Sequence, residues 1–192
     1  ELECYKRGMK IFLADYSVDG PNFNEENIEY NFEKKFIGYN SDSNYISLDK
    51  WVEFANLNSD SDLLLQMDIE GGEYNVLSGV SDKVLSRFRI LVIEFHDLHR
   101  IWNIKFYKTA DSVFSKILKS HYCVHIHPNN CYDMYVHRGI PIPKIAEFTF
   151  IRKDRFIPIG FTSDFPHPLD FDNTKRAHVK LPQIWYNGGV LN

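Results

Sequence analysis

The sequence predicts a mixed α/β domain, largely parallel, with an antiparallel C-terminal edge. Three observations predict it. Residues 63–67 and 89–95 are short, nearly continuous apolar runs that lead into acids, the pattern of strands covered on both faces of a parallel sheet. Helical periodicity alternates with strand-like runs in the first two thirds of the chain, which implies parallel pairing. Closely spaced strand-like pieces then follow over 121–127, 131–137 and 146–151, which implies an antiparallel edge.

In chain order, 1–7 reads as the end of a helix stopped by Gly8. Residues 9–14 read as a strand with Asp15 at its carboxyl end. Ser17-Val18-Asp19-Gly20-Pro21 is turn chemistry. The polar run 24–35 reads as a short helix or an irregular segment. Residues 36–39 and 45–48 are short extended pieces around a polar turn. Residues 47–57 carry an amphipathic helix, with Asp49 as a cap and Trp51, Val52, Phe54 and Ala55 on its apolar side. Ser59 to Asp62 form a loop. The strand 63–67 ends on Asp68, followed by Ile69-Glu70-Gly71-Gly72-Glu73 and a helix to about Val80. Residues 81–88 are a short polar helix or turn. The strand 89–95 ends in Glu94, then His96-Asp97. Residues 106–120 are amphipathic, with Val113, Phe114, Ile117 and Leu118 at helical spacing. Residues 131–137 are expected to lie antiparallel to 121–127, with Ile140-Pro141-Ile142-Pro143 as a connector. The domain is expected to span 1–153, and 154–192, rich in proline, aspartate and asparagine, to form an irregular arm packed on it.

At 192 residues the chain has length enough for one domain with a real core. Its 44% hydrophobic and 25% charged residues fit a soluble globular protein. A net charge of -4 without a basic run argues against nucleic acid as partner. No apolar stretch approaches the ~18 residues that span a bilayer and no signal peptide is visible, so no membrane partner is expected. The three cysteines, Cys4, Cys123 and Cys131, are widely spaced and odd in number, as expected of reduced thiols in a cytoplasmic protein.

If the early strands are parallel, their carboxyl ends share the rim where open α/β sheets bind ligands. That rim carries Asp15, Gly38, Asp68 with Glu70, and Glu94 with His96. A strand-end carboxylate can accept hydrogen bonds from paired sugar hydroxyls, and Asp15 is the candidate for that. Asp68, Glu70 and Glu73 also suit a helix start, where acids cap and offset the dipole; the glycines between them allow a sharp turn or close approach to a ligand. His125 and His127, two apart on a strand, share one face. With Asp68 or Glu94 they offer a metal set, although no dense ligand motif supports one and no metal site is assigned. His96, directly after a core strand, suits a general base. A Gly-x-Ser-x-Gly elbow and a Gly-x-x-x-x-Gly-Lys-Ser/Thr loop are both absent, which argues against serine hydrolases and P-loop enzymes.

Residues Met67-Asp68-Ile69-Glu70-Gly71-Gly72-Glu73-Tyr74-Asn75-Val76-Leu77 resemble the Asp-x-Glu-Gly-x-Glu-x-x-x-Leu signature of FkbM-type S-adenosylmethionine-dependent methyltransferases. Ile93-Glu94-Phe95-His96 resembles the family's next strand. Phe12-Leu13-Ala14-Asp15 falls where the fold places its ribose-binding acid, and Glu147-Phe148-Thr149-Phe150-Ile151-Arg152 is similar to its closing antiparallel strand. The resemblance covers about 10–152. It implies a Rossmann-like sheet of seven strands, S-adenosyl-L-methionine as cofactor, Asp15 on the adenosyl ribose, and Asp68 with Glu70 toward the cofactor. Glu94, His125 and His127 are then expected toward the acceptor, with His96 or Asp68 as base. The family's first strand and glycine-rich loop have no counterpart in this chain, so the sheet is expected to lack its first strand here. The leading expectation is O-methylation of a sugar or other small hydroxyl-bearing acceptor. The alternatives are a non-catalytic methyltransferase-like domain of a larger glycan-modifying protein, and a metal-dependent hydrolase using His125, His127 and Asp68.

Overall fold

A computed structural model describes residues 1–24, 27–55 and 61–186. The chain divides into two compact units, Glu1–Ser61 with Asn75–Val84, and Asp62–Tyr74 with Leu85–Asn192.

In the first unit, helix α1 (Leu2–Lys6) ends where expected, with Gly8 in the left-handed region at φ +82°. Strand β1 (Ile11–Ala14) pairs in parallel with β2 (Tyr30–Glu33), Ile11 opposite Tyr30 and Ala14 opposite Glu33. Strand β2 corrects the expectation of a helix or irregular segment over 24–35, of which residues 25 and 26 lie outside the described residues. Its four residues carry little pattern of their own, and the ladder with β1 satisfies their backbone. Strands β3 (Phe36–Gly38) and β4 (Tyr45–Ser47) also pair in parallel. Gly38 lies against Tyr45 so closely that a Cβ there would stand 2.8 Å from the ring carbon Cδ1.

Helix α2 (Leu48–Phe54) is capped by Ser47, whose hydroxyl accepts from Lys50 N. The expected cap, Asp49, instead accepts from Ser81 N at 2.9 Å. It lies one residue inside the helix start, so Ser47, still in extended backbone, takes the capping role. The expected helix end at Leu57 and the loop residues Ser59 and Asp60 lie outside the described residues.

The chain continues through β5 (Leu63–Met67), α3 (Glu73–Gly79), α4 (Asp82–Leu85) and β6 (Phe88–Phe95). Then come α5 (Ile104–Ser120), β7 (His121–Pro128), β8 (Tyr135–His137), β9 (Ile140–Ile142) and β10 (Ala146–Arg152). The second unit is built on a four-stranded sheet of order β5-β6-β10-β7. Strands β5 and β6 are parallel, and β10 runs antiparallel to both β6 and β7. The mixed parallel and antiparallel sheet is as expected, but the antiparallel strand is interior, not at an edge. Alternating Ala146, Phe148 and Phe150, all buried, suit it to a central place.

Strand β7 does not pair with the segment after it. That segment folds on itself as the β8–β9 hairpin, with Tyr135 opposite Ile142 and a turn at Arg138-Gly139, both at positive φ. Ile140–Ile142, expected as a connector, is thus a strand.

Residues directly opposite one another point to the same face. One face carries Leu65, Met67, Leu91, Ile93, Phe95, Phe148 and Phe150, all buried. On it α5 lays Ala110, Val113 and Ile117, and the Phe114 ring meets Phe95 and Phe148 at 4.7 and 5.4 Å. The other face is polar and presents Glu94, Glu147 and His127 in one row, with Thr149 and His125 in the next. Among the described residues no helix is long and apolar enough to cross a membrane.

Candidate functional site

The strands β5 and β6 run in parallel, so their carboxyl ends bring Asp68 and His96 together. After Asp68 the backbone turns sharply. Glu70 is in the left-handed region at φ +55°, and Gly71 follows at φ +101°. For Gly71 that conformation is free of side-chain cost; for Glu70 it is strained. The turn aims two backbone N–H groups, those of Ile69 and Gly71, at one oxygen, Glu73 Oε1, at 3.2 and 3.1 Å. Glu73 opens α3 and is fully buried.

The same oxygen faces His96 Nδ1 at 3.1 Å. A carboxylate oxygen only accepts, so Nδ1 carries the proton and donates, and in the neutral ring the lone pair lies on Nε2. The Tyr74 hydroxyl donates to the His96 carbonyl at 2.9 Å and fixes the backbone there. His96 is nearly buried, and its ring is held on the polar face beside Glu94.

Around Nε2 stand three further carboxylates: Glu70 Oε2 at 3.3 Å, Glu94 Oε2 at 3.7 Å and Asp68 Oδ1 at 3.9 Å. Glu70 and Asp68 lie toward solvent; Glu94 is largely covered. Burial pushes the Glu94 carboxyl up; the Asn129 amide, donating to Oε1 at 2.8 Å, acts the other way, and the Asp68 charge adds to the rise. The site is an oriented imidazole within a group of carboxylates. It can take up a proton, accept hydrogen bonds from hydroxyls, or hold a cation.

The other two histidines expected at the site stand on β7. His125 and His127 share one face, as their spacing predicts, and both turn to Asp170 in the segment after β10. His125 Nε2 donates to Asp170 Oδ1 at 2.8 Å. His127 Nδ1 lies 3.4 Å from Oδ2, and its Nε2 donates to the Phe171 carbonyl at 3.1 Å. Phe165 stacks on the His125 ring. Burial works against the Asp170 charge, but the His167 N–H and the two imidazoles outweigh it and hold the carboxyl below its ordinary value. Through Phe165, Asp170 and Phe171 this segment packs against His125 and His127 on the polar face of the second unit. Asp15 is exposed at the end of β1, and its Oδ1 accepts from both the backbone and the hydroxyl of Ser17, each at 2.7 Å. The three cysteines are free.

Two residues that the sequence points to only weakly are central here. Glu73 reads as a first-turn acid; its burial against His96 depends on the turn geometry before it. Asn129, which orients Glu94, carries no sequence signal. Over residues 24–129 the chain matches the Methyltransferase FkbM domain. The match covers more than half of the chain and takes in the whole His96 cluster, and the chain belongs to this family of methyltransferases. No curated protein and no solved structure matches the chain.

Proposed function

We propose that this FkbM-family chain is an S-adenosylmethionine-dependent methyltransferase acting on a hydroxyl of a sugar or another small polar acceptor. Family membership supports methyl transfer. The sheet order β5-β6-β10-β7 is in keeping with a Rossmann-like fold. The observation that carries the rest is His96, whose Nδ1 is tied to buried Glu73 while Nε2 faces the carboxylate group.

The donor set suits the cofactor. Carboxylates at strand ends accept from ribose hydroxyls, and an acidic group is matched in charge to a cationic sulfur. When bound, S-adenosylmethionine supplies a methyl group open to in-line displacement by an acceptor oxygen. The chain's own task is then alignment and removal of one proton. His96 takes the hydroxyl proton at Nε2. Glu73 holds the ring in that tautomer and stabilises the imidazolium that forms, as a buried carboxylate does for a histidine base. Asp68 and Glu70 serve the cofactor, and Glu94 receives a hydrogen bond from the acceptor.

The test is transfer of an isotope-labelled methyl group from S-adenosylmethionine to a panel of polyols, monosaccharides and glycans. A methyl ether product that the wild type forms and His96→Ala forms far more slowly is the expected result. Methyl transfer at an undiminished rate in His96→Ala removes His96 from the mechanism. No transfer to any hydroxyl acceptor, with transfer to an amine or carboxyl instead, overturns the acceptor class.

A further inference from the structure

Proton removal needs one atom of the cluster, His96 Nε2. It leaves the second oxygen of Glu73, Oε2, unexplained. Glu73 is 0% exposed; Oε1 takes two backbone N–H groups and faces His96, while Oε2 is buried with no hydrogen-bond partner. A buried anionic oxygen left without a partner costs a large desolvation penalty. Asp68, Glu70, Glu73 and Glu94 each pair with the one imidazole of His96. A single ring carries at most one positive charge, so the pocket holds more negative charge than His96 can offset.

We infer that Asp68, Glu73 and His96 bind a divalent cation, with Glu70 and Glu94 at its margin. Their ligand atoms lie within 4.8 Å of one another. Within the set, Asp68 Oδ1 stands 3.9 Å from His96 Nε2, close to the separation, about 3–4 Å, of donors that each stand about 2.0–2.3 Å from one ion. Two carboxylates and an imidazole suit Mn2+, Fe2+ or Zn2+. The spare Glu73 oxygen gains its missing partner, and exposed Asp68 and Glu70 give the ion a way in from solvent. With the ion bound, the His96 lone pair is occupied, so the ion and the hydroxyl proton compete for Nε2 and metal binding strengthens as pH rises.

The inference needs no methyl donor, so it is tested without one. The full chain, freed of metal by chelator and dialysis, is titrated with Mn2+. Free Mn2+ is followed by electron paramagnetic resonance, and the unfolding midpoint by calorimetry. One ion bound per chain is expected, with a midpoint that rises with Mn2+ concentration. Asp68→Asn and His96→Gln are expected to weaken binding about tenfold or more. The Asp68 side chain is 47% exposed, so Asp68→Asn tests the site without disturbing the core. Glu73→Gln is the companion variant, read only where its far-ultraviolet spectrum is native. No binding at millimolar Mn2+ overturns the inference, and so does binding that Asp68→Asn and His96→Gln leave unchanged. Either result leaves methyl transfer untouched, because that is judged by transfer of label.

Discussion

The second unit sets histidines against carboxylates at the ends of β5 and β6 and again on β7, in opposite proportions. At the ends of β5 and β6, one imidazole meets four carboxylates and a buried oxygen has no partner. On β7, two imidazoles share one carboxylate, Asp170, and His127 is completed by the Phe171 carbonyl. The β7 group is close to satisfied and ties the C-terminal segment to the sheet. The His96 group is charged beyond what its own residues balance, and such groups are where bound cations and proton transfer are expected. The same residue types thus serve anchoring in one place and chemistry in the other.

The largest effect is expected at His96. His96→Ala should lower turnover by about 10²–10⁴-fold, the range for loss of a general acid–base group, while removing the partner of buried Glu73 costs about 1–3 kcal/mol of stability and leaves the chain folded. Turnover and calorimetry on the same preparations measure the split. A loss of activity that only follows a loss of fold would make the two histidine groups alike.

Next is Asp170→Asn. It weakens the charged partner of His125 and His127 and should destabilise the chain by about 1–3 kcal/mol, with faster proteolysis of 154–186 and turnover within a few-fold of wild type. Urea unfolding and limited proteolysis check it.

The Asp170 contribution also has a predicted pH dependence. Its folded pKa is depressed, so its stabilisation is present above the unfolded value, about 3.9, and is lost as pH falls through the lower folded value. Wild type and Asp170→Asn should differ in unfolding midpoint near neutrality and converge in acid below about pH 4. A difference that persists in acid would mean that shape, not charge, holds the arm.

The smallest effect is expected for Tyr74→Phe, which removes the hydrogen bond to the His96 carbonyl at 2.9 Å. About 1 kcal/mol of stability is at stake, and turnover should fall less than in His96→Ala. A Tyr74→Phe turnover as low as that of His96→Ala would mean that backbone placement matters as much as the ring.

What the sequence reveals of this arrangement follows its local patterns. Strands β5, β6 and β10 are legible because their apolar residues run or alternate over several positions, and α5 because its stripe is long. Strand β2 is not, since its four residues form a strand only by pairing with β1. The interior position of β10 is hidden because strand order is a property of the sheet, not of any segment. His96, Asp68, Glu70 and Glu94 are readable as strand-end residues. The burial of Glu73 is not, because it depends on Glu70 and Gly71 both taking positive φ. Asp170 stands 45 residues from His125, and a pairing over that distance leaves no spacing to read.

The most direct test of the claim that the His96 group, and not the β7 group, is the functional centre is calorimetric titration of S-adenosylhomocysteine into three proteins: wild type, Asp68→Asn and Asp170→Asn. Micromolar binding by wild type, weakened about tenfold by Asp68→Asn and unchanged by Asp170→Asn, is the predicted result. No binding by the folded wild type, or equal weakening by both substitutions, would contradict it.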